Sequence, residues 1–340
     1  MDFLRHVKNI LHTYWIGFVC LIYQVLWRPK ELKDLQQHNG CVAIVTGGDG
    51  DIGMETVRAL CRHGMHVIIG VKEETNGQSV EAAIKATCPF AKLDCLPLDL
   101  ASFASIQKFV QQFKAKGLPL HVLVNNAGIM HAPFAPTASS SGSLESHLGI
   151  NYLGHFVLTR LLLDMLKRSG TKERCARIVN VSSAVHAIST IDSIKEIQFS
   201  KFYCPYGAYG QSKLAVTLGT YELDRRLRDA EFPITVNCLH PGLADTNLFR
   251  HLSPVLQPVK NLCAWLGFMW TPSQGARTPV FLSLSEEVEH TSGKYFDNCQ
   301  AVPSSPSSYD VRLQKELWNW SCEITQLPCD IQDEINIHYT

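Results

Sequence analysis

Residues 41–53, CVAIVTGGDGDIG, decide the fold. Cys41 to Thr46 form an apolar and β-branched run that reads as a buried strand, and the helical pattern METVRALCRHG takes over at residues 54–64. Between them lie four glycines in seven residues. A strand ending at Thr46 and a helix starting near Gly53 present free backbone N–H groups to a pyrophosphate, and glycine is needed where backbone must come close to such a ligand. Thr46, Gly47, Gly48, Gly50, Asp51, Ile52 and Gly53 are therefore the candidate residues of a nucleotide-phosphate turn.

Outward from this turn the same alternation repeats. HVIIGVK (66–72), LDCLPLDL (93–100), HVLVNNAG (121–128), RIVNVSS (177–183) and ITVNCLHPG (234–242) each hold a short apolar run, with stretches of helical periodicity between them. Continuous apolar runs suit parallel strands covered on both faces. The expected fold class is α/β, a doubly wound parallel sheet.

Ser183 ends the run RIVNVSS, and the segment AYGQSKLA that follows carries Tyr209 and Lys213. Four positions apart on a helix, the two side chains share a face. An ammonium there can lower the phenol's pKa toward a value useful for proton transfer, which points to acid/base chemistry on an alcohol or carbonyl. A Tyr-x-x-x-Lys pair also arises by chance on surface helices, so the order of the surrounding motifs has to separate the two readings. Tyr203 and Tyr206 have no lysine four residues on, Ser182 is only the neighbour of Ser183, and His155 and His186 read as core or loop histidines. A hydrolase built on Ser183 lacks the Gly-x-Ser-x-Gly elbow.

In that order the motifs resemble the short-chain dehydrogenase/reductase family, from about Cys41 to Phe296. Asn125, Asn126, Ala127 and Gly128 match its Asn-Asn-Ala-Gly signature, Asn151 its helix asparagine, and Pro241, Gly242 and Thr246 its Pro-Gly-x-x-x-Thr turn. Within the family, HVIIG, HVLVNNAGIM, NYLGHF and the tail LQKELWNWSCEIT are most similar to the X-linked dehydrogenase/reductase branch, then to the retinol dehydrogenases. The resemblance implies a Rossmann-type sheet, a nicotinamide cofactor and hydride transfer to or from the substrate carbon. It assigns Tyr209 to proton exchange with the substrate oxygen, Lys213 to lowering the pKa of Tyr209 and binding the nicotinamide ribose, Ser183 to the carbonyl, and Asn151 to a water relay reaching Lys213. Asn125, Ala127, Gly128, Pro241, Gly242 and Thr246 complete the implied cofactor contacts.

One position departs from the family pattern of Thr-Gly, three residues, Gly-x-Gly: Asp51 stands at the middle glycine, with Gly50 one residue early. An acidic side chain there could repel phosphate or strain the turn. An enzyme that retains its cofactor is thus set against a catalytically weak or silent nucleotide-binding scaffold. Cofactor choice is read at the end of the second strand, where an acidic residue would hold the ribose hydroxyls of NAD and a basic one the 2′-phosphate of NADP. Val71 takes the acidic position and Lys72 follows, so NADP(H) is the expected preference, with NAD(H) the alternative that Asp49, Glu73 and Glu74 favour. Asp99, followed by Leu100, resembles the adenine-contacting position; a helix N-cap ahead of ASFASI is the other reading.

At 340 residues, 46% apolar and with zero formal charge, the chain suits one large domain: a terminal segment at 1–37, the catalytic domain at 38–300 and an extension at 301–340. No basic face or tail points to nucleic acid. The twelve cysteines form no Cys-x-x-Cys pair or Cys/His cluster, which indicates neither a metal site nor a disulfide framework. ILHTYWIGFVCLIYQVLW (10–27) has Arg5 and Lys8 before it and Arg28, Lys30 and Lys33 after it. Eighteen residues of helix reach roughly 27 Å, near the roughly 30 Å hydrocarbon layer, and aromatic residues cluster toward its ends. The expectation is a retained membrane-spanning anchor holding a cytosol-facing domain on the endoplasmic reticulum, with the lipid droplet as an alternative. A cleaved signal peptide and a helix packed on the domain are the other readings. The segment after Thr246, LFRHLSPVLQPVKNLCAWLGFMWTP, carries an apolar load that suits a lid over a lipid or simple core packing. Together with an anchor it favours a lipophilic substrate such as a retinoid, steroid or polyisoprenoid, and a homodimer stays open as a further partnership.

Overall fold

The structure is a computed structural model that describes residues 2–33, 35–72, 74–130, 136–139, 142–191, 203–251 and 256–333, with the side chains of 2–9, 74–76, 136–139, 142–143 and 251 left aside. Helix α1 (Asp2–Leu26) precedes the Rossmann core, β1 (Val42–Thr46), α2 (Asp51–Arg62), β2 (His66–Val71), α3 (Glu74–Thr87), β3 (Lys92–Pro97), α4 (Phe103–Ala115) and β4 (Val122–Asn125). A short hairpin, β5 (Pro136–Ser139) and β6 (Gly142–Glu145), comes next, then α5 (His155–Ser169), β7 (Ala176–Val181), α6 (Pro205–Asp229) and β8 (Ile234–His240). The chain closes with α7 (Gln257–Trp265), α8 (Pro272–Gly275), α9 (Arg277–Leu284), the hairpin β9 (Tyr295–Asp297) and β10 (Gln300–Val302), and α10 (Val311–Thr325).

Eight strands form one sheet in the order β10-β9-β8-β7-β4-β1-β2-β3, parallel except for the β9–β10 hairpin at one edge. β1 is buried at every residue, which explains why VAIVT reads as a continuous apolar run. One face of the sheet is covered by α4, α5, α6 and α10 around Phe109, Phe113, Leu162, Leu214 and Trp318; the other is covered by α2, α3 and α9 around Val57, Leu60, Ile69, Ile84 and Phe281. The C-terminal helix therefore joins the main core: Asp310 caps α10 by accepting from the Arg312 and Leu313 N–H groups, and Trp318 meets the Phe156 ring edge-on at 5.1 Å.

The expected membrane-spanning anchor is not what α1 is. Among the described residues no helix is long and apolar enough to cross a membrane. Instead α1 lies along the domain, against α6 and the 3-10 turn Ala184–Ile188. Two of its polar side chains, Tyr14 and Gln24, face inward. The Tyr14 and Tyr206 hydroxyls bond at 2.7 Å, and buried Gln24 donates to the Leu243 carbonyl and accepts from the Leu243 N–H. The following linker is also fastened, because Asn298 in the β9–β10 turn accepts from Lys30 N–H and donates to the Arg28 carbonyl, and Arg277 donates to the Pro29 and Lys30 carbonyls. Leu11, Trp15, Phe18, Ile22, Val25 and Leu26 face outward and are exposed.

Candidate active site

The C-terminal ends of β1, β4, β7 and β8 open into one cleft of about 530 Å³, walled on one side by Tyr14, Gly17 and Cys20 of α1 and on another by Leu248, Phe249 and Arg250. This is the edge at which parallel sheets carry their ligands.

The phosphate turn is built as its glycines require. Gly47 has φ +62, and a Cβ on Gly53 would lie 2.0 Å from the Gly47 carbonyl oxygen, so neither position takes a side chain. Gly50 is the N-cap of α2, and the first bond of the helix runs from Met54 N–H to Gly50 O, so the N–H groups of Asp51, Ile52 and Gly53 precede it. Thr46 is buried beneath the turn and accepts from the Asn126 and Ala127 N–H groups at 2.9 and 3.0 Å, while its hydroxyl bonds His155 Nε2 at 2.8 Å. The geometry fits a pyrophosphate: a tight turn, no Cβ in the way, and a helix N-terminus aimed into the cleft. Asp51 has a different engagement from the one its sequence position suggested, since its Oδ2 accepts the Asn247 N–H at 2.7 Å. One oxygen of the carboxylate is thus committed to the loop after Thr246.

Two cofactor candidates sit elsewhere. Asn125 does not line the cleft: as the last residue of β4 it points below the sheet edge and donates to Thr159 Oγ1 and Asn180 Oδ1, in a separate small cavity of about 40 Å³. Asn126, one residue on and so on the opposite side, lines the cleft and donates to the Thr46 and Gly47 carbonyls. Gly48 is likewise a packing glycine, where a Cβ would strike Ile69 at 2.5 Å. The remaining cofactor candidates, Lys72, Asp99, Leu100, Ala127, Gly128, Pro241, Gly242 and Thr246, all line the cleft. Gly242 has φ +80 beneath the Trp270 ring. Lys72 Nζ lies 3.5 Å from Asp99 Oδ2. Ser102, not Asp99, caps α4, leaving the Asp99 carboxylate to the Ala101 N–H and Lys72. Glu73 and the side chain of Glu74 lie outside the described residues.

Ser183, Tyr209 and Lys213 come together at the same cleft. Ser183 lies two residues past β7 and caps the 3-10 turn, Tyr209 and Lys213 lie one turn apart on α6, and Lys213 Nζ is 5.8 Å from the centre of the Tyr209 ring. Lys213 donates to the Val181 carbonyl at 2.8 Å. Burial pushes the Tyr209 phenol up to about 12, with a hydrogen bond from Ser183 pulling the other way. Burial lowers Lys213 to about 8. Asn151 is held in a π-helical turn, Leu148–Gly154, a local widening that concentrates at functional sites. Its amide is fully engaged, accepting from Ile129 N–H and donating to Ile129 O and Ser212 Oγ. It ties the loop after β4 to α6.

Other cleft features escaped the sequence reading. The inner face of α1 is one, because a helix read as a membrane span has no assigned protein neighbour. His240, adjacent to Pro241, is another. Beside Tyr209, the ring of His147 approaches edge-on at 6.2 Å while its Nδ1 bonds Glu145, whose Oε1 also accepts from the Tyr203 hydroxyl.

Residues 41–256 match the family model of the short chain dehydrogenases. The chain is 43% identical over 328 residues to a human polyprenol dehydrogenase, covering 96% of this chain and 98% of that one. It is 38% identical over 323 residues to human retinol dehydrogenase 12, covering 95% and 94%. Among solved structures, a protein from Mycobacterium paratuberculosis superposes with a TM-score of 0.68 at 29% identity over 86% of this chain and 96% of that one. RhlG of Pseudomonas aeruginosa, solved with NADP, does so at 0.60 and 24% over 78% and 97%. The chain belongs to the short-chain dehydrogenase/reductase family and is an alcohol/carbonyl oxidoreductase.

Proposed function

We propose that this protein interconverts an alcohol and a carbonyl on a long lipophilic substrate, a polyisoprenoid, retinoid or steroid, with NADP(H) preferred over NAD(H). The observation that carries the reading is the meeting of Ser183, Tyr209 and Lys213 in a cleft walled by α1. The cofactor, held by the turn from Thr46 to Gly53, supplies or accepts the hydride. Tyr209 exchanges the proton with the substrate oxygen, Ser183 hydrogen-bonds that oxygen, and Lys213 places a charge beside the phenol and reaches toward the ribose. NADP preference is supported by Lys72 at the end of β2, a cation whose partner Asp99 a 2′-phosphate would displace. The lipophilic class is supported by the names of the polyprenol and retinol dehydrogenases to which the chain is similar.

α1 then meets the lipid lying in the plane of the surface. Its outer residues Leu11, Trp15, Phe18, Ile22 and Val25 recur every three or four positions as one stripe, with Arg28 exposed just beyond, a pattern suited to the headgroup boundary. Such a helix needs one leaflet only, which suits the cytosolic face of the endoplasmic reticulum and the monolayer of a lipid droplet alike. A silent scaffold loses its main support, since Asp51 is partnered by Asn247. Titration of the purified protein with NADPH and NADH tests the reading. Submillimolar NADPH binding, tighter than NADH, is the expected result, and no binding of either nucleotide would overturn it.

A further inference from the structure

Helix α1 is fastened at two points, on two different walls of the catalytic cleft. The Tyr14 hydroxyl bonds that of Tyr206 in the first turn of α6, on the side of Ser183 and Tyr209. Further along, buried Gln24 is bonded twice to the Leu243 backbone, in the loop after β8. The stretch from Tyr14 to Gln24 rises about 15 Å as a helix, so α1 runs as a strap over the cleft between these bonds. Thr13, Ile16, Gly17 and Cys20 line the cleft from the strap. Their spacing of i, i+3, i+4 and i+7 places them on one face, and Trp15, Phe18 and Ile22 are exposed on the other.

Gly17 leaves a gap in this wall. A Cβ built on it meets no atom within 4 Å, whereas at Gly47, Gly50, Gly53, Gly70, Gly128 and Gly242, which also line the cleft, an atom lies within 3.4 Å. Its φ is not positive either, so neither crowding nor conformation calls for glycine here. Glycine inside a helix is destabilising relative to alanine. What the missing side chain does provide is space between the strap and the cleft. The cleft, about 530 Å³, is the size that one drug-sized ligand fills, yet an oxidoreductase of this family has to seat both a dinucleotide and the reacting end of its substrate there. The rest of a long lipid has to leave it.

We propose that the apolar chain of the substrate leaves the cleft beneath α1, through the gap kept open at Gly17, which makes Gly17 a specificity-determining residue for chain length. This rests on the reading of the cleft as that of an oxidoreductase with a lipophilic substrate, and adds the path of the chain. The hydroxyl or carbonyl end stays with Ser183 and Tyr209. The chain passes Ile16 and Gly17 and emerges along the side of α1 that exposes Trp15 and Phe18, where it meets apolar surface before water. Because the Tyr14 and Gln24 bonds hold the helix on either side of the gap, the side chain at position 17 sets its width.

The test compares geraniol with geranylgeraniol, which carry the same reacting end on a shorter and a longer chain, in the same non-ionic micelles and with full-length protein saturated with nucleotide. Wild type should favour the longer alcohol in kcat/KM. Gly17→Leu should lower kcat/KM for geranylgeraniol by about 10-fold or more through KM, since each methylene denied burial is worth about fourfold in affinity, and should leave geraniol within about twofold. Gly17→Ala should behave as wild type: its Cβ has room, and it shares the gain in helix propensity, so it separates bulk in the gap from stability of the helix. Nucleotide affinity should be the same in all three proteins. Affinity for the two alcohols measured by calorimetry reads the same preference without turnover. A protein that turns over neither alcohol, yet loses its preference for the longer one on Gly17→Leu, would overturn the catalytic reading and leave the chain path standing. Equal losses on both alcohols, a Gly17→Leu protein that keeps the wild-type preference, or no preference in wild type would overturn the path beneath α1.

Discussion

Tyr209 is protonated at neutral pH, and its burial pushes the phenol further up, to about 12, against the hydrogen bond from Ser183. A protonated phenol beside Ser183 is poised as a general acid toward a carbonyl. Replacing it by phenylalanine keeps the ring and removes the proton, so Tyr209→Phe should lower turnover by about 10²–10⁴-fold with nucleotide affinity unchanged, read by steady-state kinetics beside a fluorescence titration. Activity within a few-fold of the parent would take Tyr209 out of that role. Lys213 carries a pH signature of its own. Its folded pKa of about 8 lies below the ordinary lysine value near 10.4, so between those values the unfolded chain holds the proton that the folded chain has released. Stability of the nucleotide-free protein should gain from this residue as pH rises through that window and lose the gain as pH falls toward 8. Urea midpoints across pH 7.5–9.5 should rise more steeply for wild type than for Lys213→Met; parallel curves would show that the lysine does not titrate there.

At the scale of elements, the glycine turn, the strand runs and the Tyr/Lys helix were legible because each is a local pattern: φ freedom at Gly47, continuous burial of β1, and four-residue spacing on α6. The π-helical turn at Asn151 was not, since it is held by bonds to Ile129 and Ser212 that no spacing reveals. Nor was the partner of Asp51, an N–H group 196 residues along the chain. That bond joins the start of α2 to the loop after Thr246, so the odd acid of the phosphate turn acts on two parts of the cleft. Asp51→Asn removes the charge and keeps an acceptor for Asn247; it should tighten nucleotide binding, by less at high salt, with substrate KM unchanged. Asp51→Gly removes both, and the loss of a hydrogen bond worth about 1 kcal/mol should add a several-fold rise in KM. Identical KM values for the two variants would show that the bond does not hold the loop, and weaker nucleotide binding in both would show that the carboxylate assists the turn.

For the molecule as a whole, the sequence of α1 was read correctly as apolar and wrongly as a span, because hydropathy along a chain does not say which face meets protein. Tyr14 and Gln24 are spent on Tyr206 and Leu243, which leaves an outer stripe with Trp15 63% exposed. Exposed large apolar residues recur on α7, where Val259, Leu262 and Trp265 stand at three-residue intervals and Trp265 is 81% exposed. Moving a large apolar side chain fully out of water contributes roughly 1.5–3 kcal/mol, so a few such residues suffice for reversible attachment to a lipid surface. Full-length protein should therefore float with phospholipid vesicles and also with triolein droplets coated by a phospholipid monolayer, which offers no second leaflet for a spanning helix. Replacing Trp15 and Phe18 together by glutamate should cut binding to both by at least 10-fold, since each change withdraws an apolar side chain and sets a charge at the boundary. Nucleotide binding and activity on a short soluble aldehyde should persist, because both residues face away from the cleft, while activity on a long-chain lipid alcohol presented in vesicles should fall with the binding. Flotation with vesicles but not with droplets would restore the spanning helix, and undiminished binding by the double variant would move the lipid contact to another face of the protein.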